Sequence, residues 1–260
     1  MNLHLTNKVF IVTGGAKGIG AAISTVLAEE GAIVVIAGRG KEDNQKMVDH
    51  IIHLKGKASS KAVELSNAEA CKELIEFTVE KYGGIDGLIN NAGINDGVNL
   101  EHGSPEKFLE SLHKNLTHYY NLAHYALPHL KERKGTIINI GSKVAVTGQG
   151  HTSGYAASKG AINALTREWA AELLPYSIRV NTVIPAEVWT PLYANWIQTL
   201  PNPKEKLEEI VSKIPLEKRF TTSEEIADMV AFLASDRSAH TTGQIVYVDG
   251  GYTHLDRTLT

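Results

Sequence analysis

Short apolar runs alternate with longer amphipathic stretches along the whole chain. Positions 9–12 are continuously apolar and stop at Thr13-Gly14-Gly15. Residues 19–30 then place Ile23, Val26 and Leu27 on one helical face, and Gly31 ends the run. The alternation continues. Strands are predicted at 33–37, 58–63, 88–89 running into Asn90, 136–140, 178–184 and 245–248. Helices are predicted at 42–54, 68–82, 105–130, 153–174 and 223–234, with Pro128 expected to distort the end of the one at 105–130. Short β-branched strands separated by helices of a dozen or more residues imply βαβ units and a parallel sheet buried on both faces. Seven strands fit one doubly wound α/β sheet, and the absence of repeats and of a Pro/Ser/Gly-rich linker predicts one domain over 1–260. Residues 189–214 break the rhythm. They contain Pro191, Pro201 and Pro203, and such a long excursion is a candidate substrate lid.

Composition narrows the class. The 260 residues are 43% hydrophobic and 21% charged, enough apolar surface to fold. The 26 basic and 29 acidic residues leave a net charge of −3, which offers no electrostatic case for nucleic acid or for an anionic membrane surface. Cys71 is the one cysteine, so an internal disulfide and a multi-cysteine zinc site are excluded. No apolar run approaches the roughly 20 residues of a membrane span. The first residues lack a basic region followed by an apolar one, so a cytoplasmic protein is the expectation.

The first strand leads into Thr13-Gly14-Gly15-Ala16-Lys17-Gly18-Ile19-Gly20 and a helix. Glycines at 14, 18 and 20 allow close backbone approach to a pyrophosphate, and the helix N-terminus adds partial positive charge. This strand–turn–helix context is that of a Rossmann fold. At the end of the second strand, where an acidic residue would hold the ribose 2′-hydroxyl of NAD, the chain reads Ala37-Gly38-Arg39. Lys17 and Arg39 with no carboxylate at that point favour NADP, with NAD as the other possibility.

Tyr155-Ala156-Ala157-Ser158-Lys159 sets a phenol and an ammonium on one helix face. A nearby cation favours phenolate, which makes tyrosine a usable base. Ser142 falls just past the fifth strand, where its hydroxyl can bind a substrate oxygen, and Asn115 interrupts the long helix. His113, His118, His124 and His129 lie five and six apart and read as surface or subunit-contact residues rather than metal ligands, and no metal is expected. Tyr119, Tyr120 and Tyr125 beside them read as packing.

With these residues in order, the chain resembles the short-chain dehydrogenase/reductase family over essentially its whole length. The motifs are Gly14-x-x-x-Gly18-Ile19-Gly20, Asn90-Asn91-Ala92-Gly93, Asn115, Ser142, Tyr155-x-x-x-Lys159, and Pro185 leading through Val188 to Thr190. The resemblance implies hydride transfer between nicotinamide and a carbon bearing oxygen. It implies Tyr155 as acid–base, Lys159 lowering its pKa, Ser142 positioning the oxygen, and Asn115 holding a water. It also implies Asn91, Ala92, Gly93, Pro185, Val188 and Thr190 along the cofactor, with Glu64-Leu65 at adenine where the family commonly has Asp. Four-helix contacts through 105–130 and 153–174 would make a homotetramer.

The substrate pocket should draw on Asn95, Asp96, Lys143, Gln149, His151, Glu187 and Trp189, a polar lining suited to a polyol. The segments 92–97, 146–150, 184–193 and 249–257 resemble the sugar-oxidising, L-fucose branch of the family, and a hydroxysteroid-dehydrogenase-like vertebrate branch looks similar around Trp189 to Pro203. That resemblance implies oxidation of an aldose at C1 to a 1,5-lactone. A carbonyl, 3-oxoacyl or steroid reductase is the competing enzyme reading, and a non-catalytic dinucleotide sensor the competing non-enzyme one.

Overall fold

The computed structural model describes residues 1–256, so Arg257 of the tail segment lies outside the described residues. The strands are β1 (Val9–Thr13), β2 (Ile33–Gly38), β3 (Lys57–Ala62), β4 (Gly87–Asn90), β5 (Thr136–Ile140), β6 (Arg179–Pro185) and β7 (Ile245–Val248). They form one parallel sheet in the order β3-β2-β1-β4-β5-β6-β7. The helices are α1 (Gly18–Glu29), α2 (Lys41–His53), α3 (Ala68–Tyr82), α4 (Pro105–Leu112), α5 (His118–Arg133), α6 (Ser153–Glu172), α7 (Pro191–Ile197), α8 (Pro203–Ser212) and α9 (Ser223–Ala234).

The continuous apolar strands are explained by what covers them. Phe10 and Val12 of β1 pack with residues of α1, α2 and α9 on one face. Val9 and Ile11 pack with residues of α3, α5 and α6 on the other. With both faces dry, no position in β1 has a reason to be polar. The edge strand β3 reads Lys-Ala-Ser-Ser-Lys-Ala, and its charges discourage pairing with another sheet. The chain runs outward from β1 to β3 and returns to β4, so the order reverses between β1 and β4. That reversal opens a crevice at the C-terminal ends of these two strands.

Three departures from the periodic reading matter. The helix expected at 105–130 is α4 and α5 joined by a π-helical turn, His113–Thr117, which turns Asn115 into the interior. The helix runs past Pro128 and past the expected end at 130, to Arg133, and caps on left-handed Lys134. Burial of Leu122, Ala126 and Leu130 along its inner face outweighs the one ladder hydrogen bond that proline removes. The segment 189–214, which breaks the strand–helix alternation, holds the two short helices α7 and α8.

A buried polar chain fixes α6 to the sheet. Asn90 Nδ2 donates to Asn139 Oδ1 at 3.0 Å, Asn139 Nδ2 donates to Thr166 Oγ1 at 2.9 Å, and Thr166 meets Thr182 at 2.6 Å. Each link joins residues that are far apart in sequence, and together they set the height of α6 over the strand ends.

Candidate active site

The glycine turn sits at the crevice and leaves room for an anion. Gly14 and Gly18 have φ of 63° and 54°, the left-handed region that favours glycine. A Cβ on Gly20 would lie 2.1 Å from the Gly14 carbonyl oxygen, so no side chain fits there. The first turn of α1 has no side-chain cap, which leaves its N–H groups for an outside acceptor. Asn91 ties this turn to β4: its Nδ2 donates to the Thr13 carbonyl at 2.8 Å. The Asn91 and Ala92 N–H groups both donate to Thr13 Oγ1, at 2.9 and 3.0 Å. A Cβ on Gly18 would be 3.4 Å from Thr190, which places the exit of β6 against the same turn. Thr190 itself caps α7 by accepting from Tyr193 N at 3.2 Å. Val188 is buried and bridges Thr221. These residues fit a dinucleotide laid across the strand ends.

The two cations of the NADP expectation have carboxylate partners. Lys17 Nζ is 2.6 Å from Asp43, and Arg39 is 4.0 Å from Glu64. Glu64 accepts from Ser66 N and Oγ at 3.2 and 2.8 Å. Burial pushes Glu64 up, but these hydrogen bonds and the Arg39 charge hold it below its usual range. Leu65 is buried and its carbonyl accepts from Cys71 Sγ at 3.3 Å.

Tyr155 and Lys159 both face inward from α6. Burial raises the Tyr155 phenol to about 12, and a hydrogen bond from Ser142 offsets part of that rise. Burial lowers Lys159 to about 7. The ammonium lies 5.5 Å from the Tyr155 ring centre. It donates to the Ile140 carbonyl at 2.8 Å and to the Tyr119 hydroxyl at 3.2 Å. Tyr119, read from sequence as packing, is therefore also a holder of Lys159. Nothing in the spacing marked it, since 40 residues separate the two. Asn115 Oδ1 accepts from Ile94 N at 2.7 Å, and its Nδ2 donates to the Ser111 carbonyl at 3.0 Å. A Cβ on Gly93 would lie 3.2 Å from Asn115 Oδ1 and 3.6 Å from Lys159 Nζ, so the 91–93 segment closes over both.

His118 corrects the surface reading of the histidines. It is buried, and its Nε2 meets the Ala92 carbonyl at 3.1 Å because the π-turn rotates it inward. Burial holds its pKa at about 4, well below the ordinary 6.5. Between those values the unfolded chain takes up a proton that the fold refuses. Stability therefore falls as pH drops from 6.5 to 4, by up to roughly 3 kcal/mol. His118→Gln should flatten the pH dependence of the urea midpoint in that window; an unchanged slope would place the effect elsewhere.

The expected substrate residues divide into two groups. Lys143 and Glu187 form an ion pair with side chains only 11% and 10% exposed, directly beside Ser142 in sequence and just past β6. Trp189 is close by, packed on Tyr193 and Phe220 with ring centres 5.9 and 5.3 Å away. The others are not brought to this pair. Asn95 is exposed and accepts from Gly97 N within its own turn, Asp96 accepts from Ser111 Oγ at 2.8 Å, and Gln149 and His151 are exposed. Among the described residues no group of three or more His, Cys, Asp or Glu could hold a metal ion, and no helix is long and apolar enough to cross a membrane.

A parallel doubly wound sheet with a glycine turn and a Ser/Tyr/Lys set at the strand ends defines a nicotinamide-dependent oxidoreductase. A family model described as enoyl-(acyl carrier protein) reductase matches residues 14–253, and the chain belongs to the short-chain dehydrogenase/reductase family. It is 37% identical over 250 residues to the 3-oxoacyl-acyl-carrier-protein reductase FabG of Thermotoga maritima, covering 96% of this chain and 99% of that one. It is 34% identical to the L-fucose dehydrogenase of Bos taurus over 256 residues, 96% of this chain and 91% of the relative. Among solved structures, Cj0485 dehydrogenase superposes with a TM-score of 0.94 at 45% identity, covering 100% and 99% of the two chains. The L-sorbose reductase of Gluconobacter frateurii, solved with NADPH and L-sorbose, gives 0.94 at 27% identity, covering 98% and 100%.

Proposed function

We propose that the protein oxidises the anomeric hydroxyl of an aldopyranose such as L-fucose to the 1,5-lactone, with NADP⁺ preferred over NAD⁺. The observation that carries the sugar assignment is the buried Lys143–Glu187 pair beside Ser142. A cation and an anion side by side offer a donor and an acceptor to neighbouring hydroxyls. An apolar ketone would have to cover both without replacing their hydration, which costs several kcal/mol. Likeness to L-fucose dehydrogenases supports the same reading.

In this reading Ser142 donates to the C1 oxygen and Tyr155 takes the hydroxyl proton. Lys159, held by Ile140 and Tyr119, stands near the Tyr155 phenol and would hold the nicotinamide ribose. Asn115 keeps the 93–94 backbone in place and positions water next to Lys159. An oxidised nicotinamide, held by these residues, would supply the acceptor for the hydride that leaves C1. Gly14, Lys17, Gly18, Ile19 and Gly20 would hold the pyrophosphate, and Arg39 with Lys17 would take the 2′-phosphate. Helices α7 and α8 act as the lid.

The test is reduced-nicotinamide absorbance with purified protein, comparing L-fucose and related aldoses in the forward direction with apolar ketones in reverse. Turnover of the sugars and not of the ketones is expected. Ketone reduction without sugar oxidation would sink the sugar assignment and favour the reductase reading.

A further inference from the structure

We infer that Tyr252, in the tail after β7, is a positioning residue of the substrate site: it supports Lys143 and so sets the donor–acceptor pair that receives the sugar hydroxyls. The inference rests on the sugar reading above and assigns it a residue 109 positions from Lys143 in the chain.

The tail is built to present this ring. After Val248 the Asp249 carboxylate accepts from Gly251 N at 2.8 Å and from Thr253 N at 2.9 Å. Tyr252 N donates to the Asp249 carbonyl at 3.1 Å. Gly250 and Gly251 are left-handed, with φ of 61° and 81°, which folds the chain back on itself. Leu216 N donates to the Gly250 carbonyl at 3.0 Å and ties the turn to the stretch following α8. The result places the Lys143 ammonium 4.2 Å from the centre of the Tyr252 ring.

A lysine this deeply covered needs compensation from more than one direction. Glu187 supplies a carboxylate, and the Tyr252 ring face supplies negative quadrupole. The Tyr193 hydroxyl is buried beside Glu187, and burial with that carboxylate pushes its phenol well above the usual range. Tyr193 and Tyr252 therefore close on the ion pair from α7 and from the tail. The ammonium has three N–H donors, and one contact to Glu187 leaves others for a ligand oxygen. Without the ring, Lys143 loses its support and the pair loses its geometry toward the sugar.

The experiment compares Tyr252→Leu and Tyr252→Phe by steady-state kinetics with an aldose at saturating cofactor. Tyr252→Leu should raise sugar KM about tenfold with a smaller change in kcat and no change in cofactor KM. Tyr252→Phe keeps the ring face and should stay within about twofold of wild type. In a Lys143→Met background Tyr252→Leu should add nothing further. A sugar KM unmoved by Tyr252→Leu overturns the inference, as does Tyr252→Phe being equally damaging, or an effect that persists without Lys143. Wild-type protein that oxidises no aldose is a different result: it removes the sugar reading, and this assignment with it.

Discussion

Tyr155→Phe is expected to lower kcat by about 10²- to 10⁴-fold while cofactor Kd stays within about twofold. Phenylalanine keeps the ring that packs in α6 and deletes the one oxygen that can exchange a proton with the substrate. Burial pushes both partners toward their neutral forms, the phenol to about 12 and Lys159 to about 7. Near neutral pH Lys159 therefore lies close to its titration point, and a positive charge beside the phenol favours its ionised form. Two outcomes would be informative against this. A variant that keeps more than a tenth of wild-type kcat assigns proton transfer to another group. A variant that also loses cofactor binding marks Tyr155 as structural, and equilibrium binding of the reduced cofactor separates the two.

The residues legible in sequence are those whose spacing is local. Tyr155 and Lys159 share one turn of α6, and the glycines at 14, 18 and 20 belong to one strand–turn–helix junction, so short-range periodicity was enough to find them. Ser142 and Asn115 were legible by their place relative to predicted elements. What escaped is held by long-range contact. The Tyr119–Lys159 bond spans 40 residues, and the Lys143–Glu187 pair spans 44. The four-member chain from Asn90 to Thr182 crosses three strands and a helix. The inward turn of His118 depends on one extra residue in a π-turn, which a period of 3.6 cannot register. Loop position alone does not bring every expected substrate residue to the buried Lys143–Glu187 pair. Asn95 and Gln149 lie past the right strands, yet one is spent on its own turn and both face outward.

Cofactor choice shows most directly how partners revise a charge read from sequence. Arg39→Leu is expected to lower kcat/KM for NADP⁺ by about 10- to 100-fold, because a charge-assisted contact to phosphate contributes roughly 1.5–3 kcal/mol. The same variant should change NAD⁺ turnover by no more than about threefold, since NAD⁺ has no 2′-phosphate for the guanidinium to meet. Arg39 stands 4.0 Å from Glu64, and Lys17 stands 2.6 Å from Asp43. Both carboxylates would compete with a 2′-phosphate for these cations and oppose its negative charge. The balance therefore depends on the acids as much as on the bases. Asp43→Asn should raise kcat/KM for NADP⁺ severalfold by freeing Lys17, and the gain should shrink at high salt, where exposed charges are screened. A common loss with both cofactors in Arg39→Leu would mean that the guanidinium stacks on adenine and does not read the phosphate. In that case selection for the 2′-phosphate falls to Lys17 alone, and the Asp43→Asn cofactor ratio measures it.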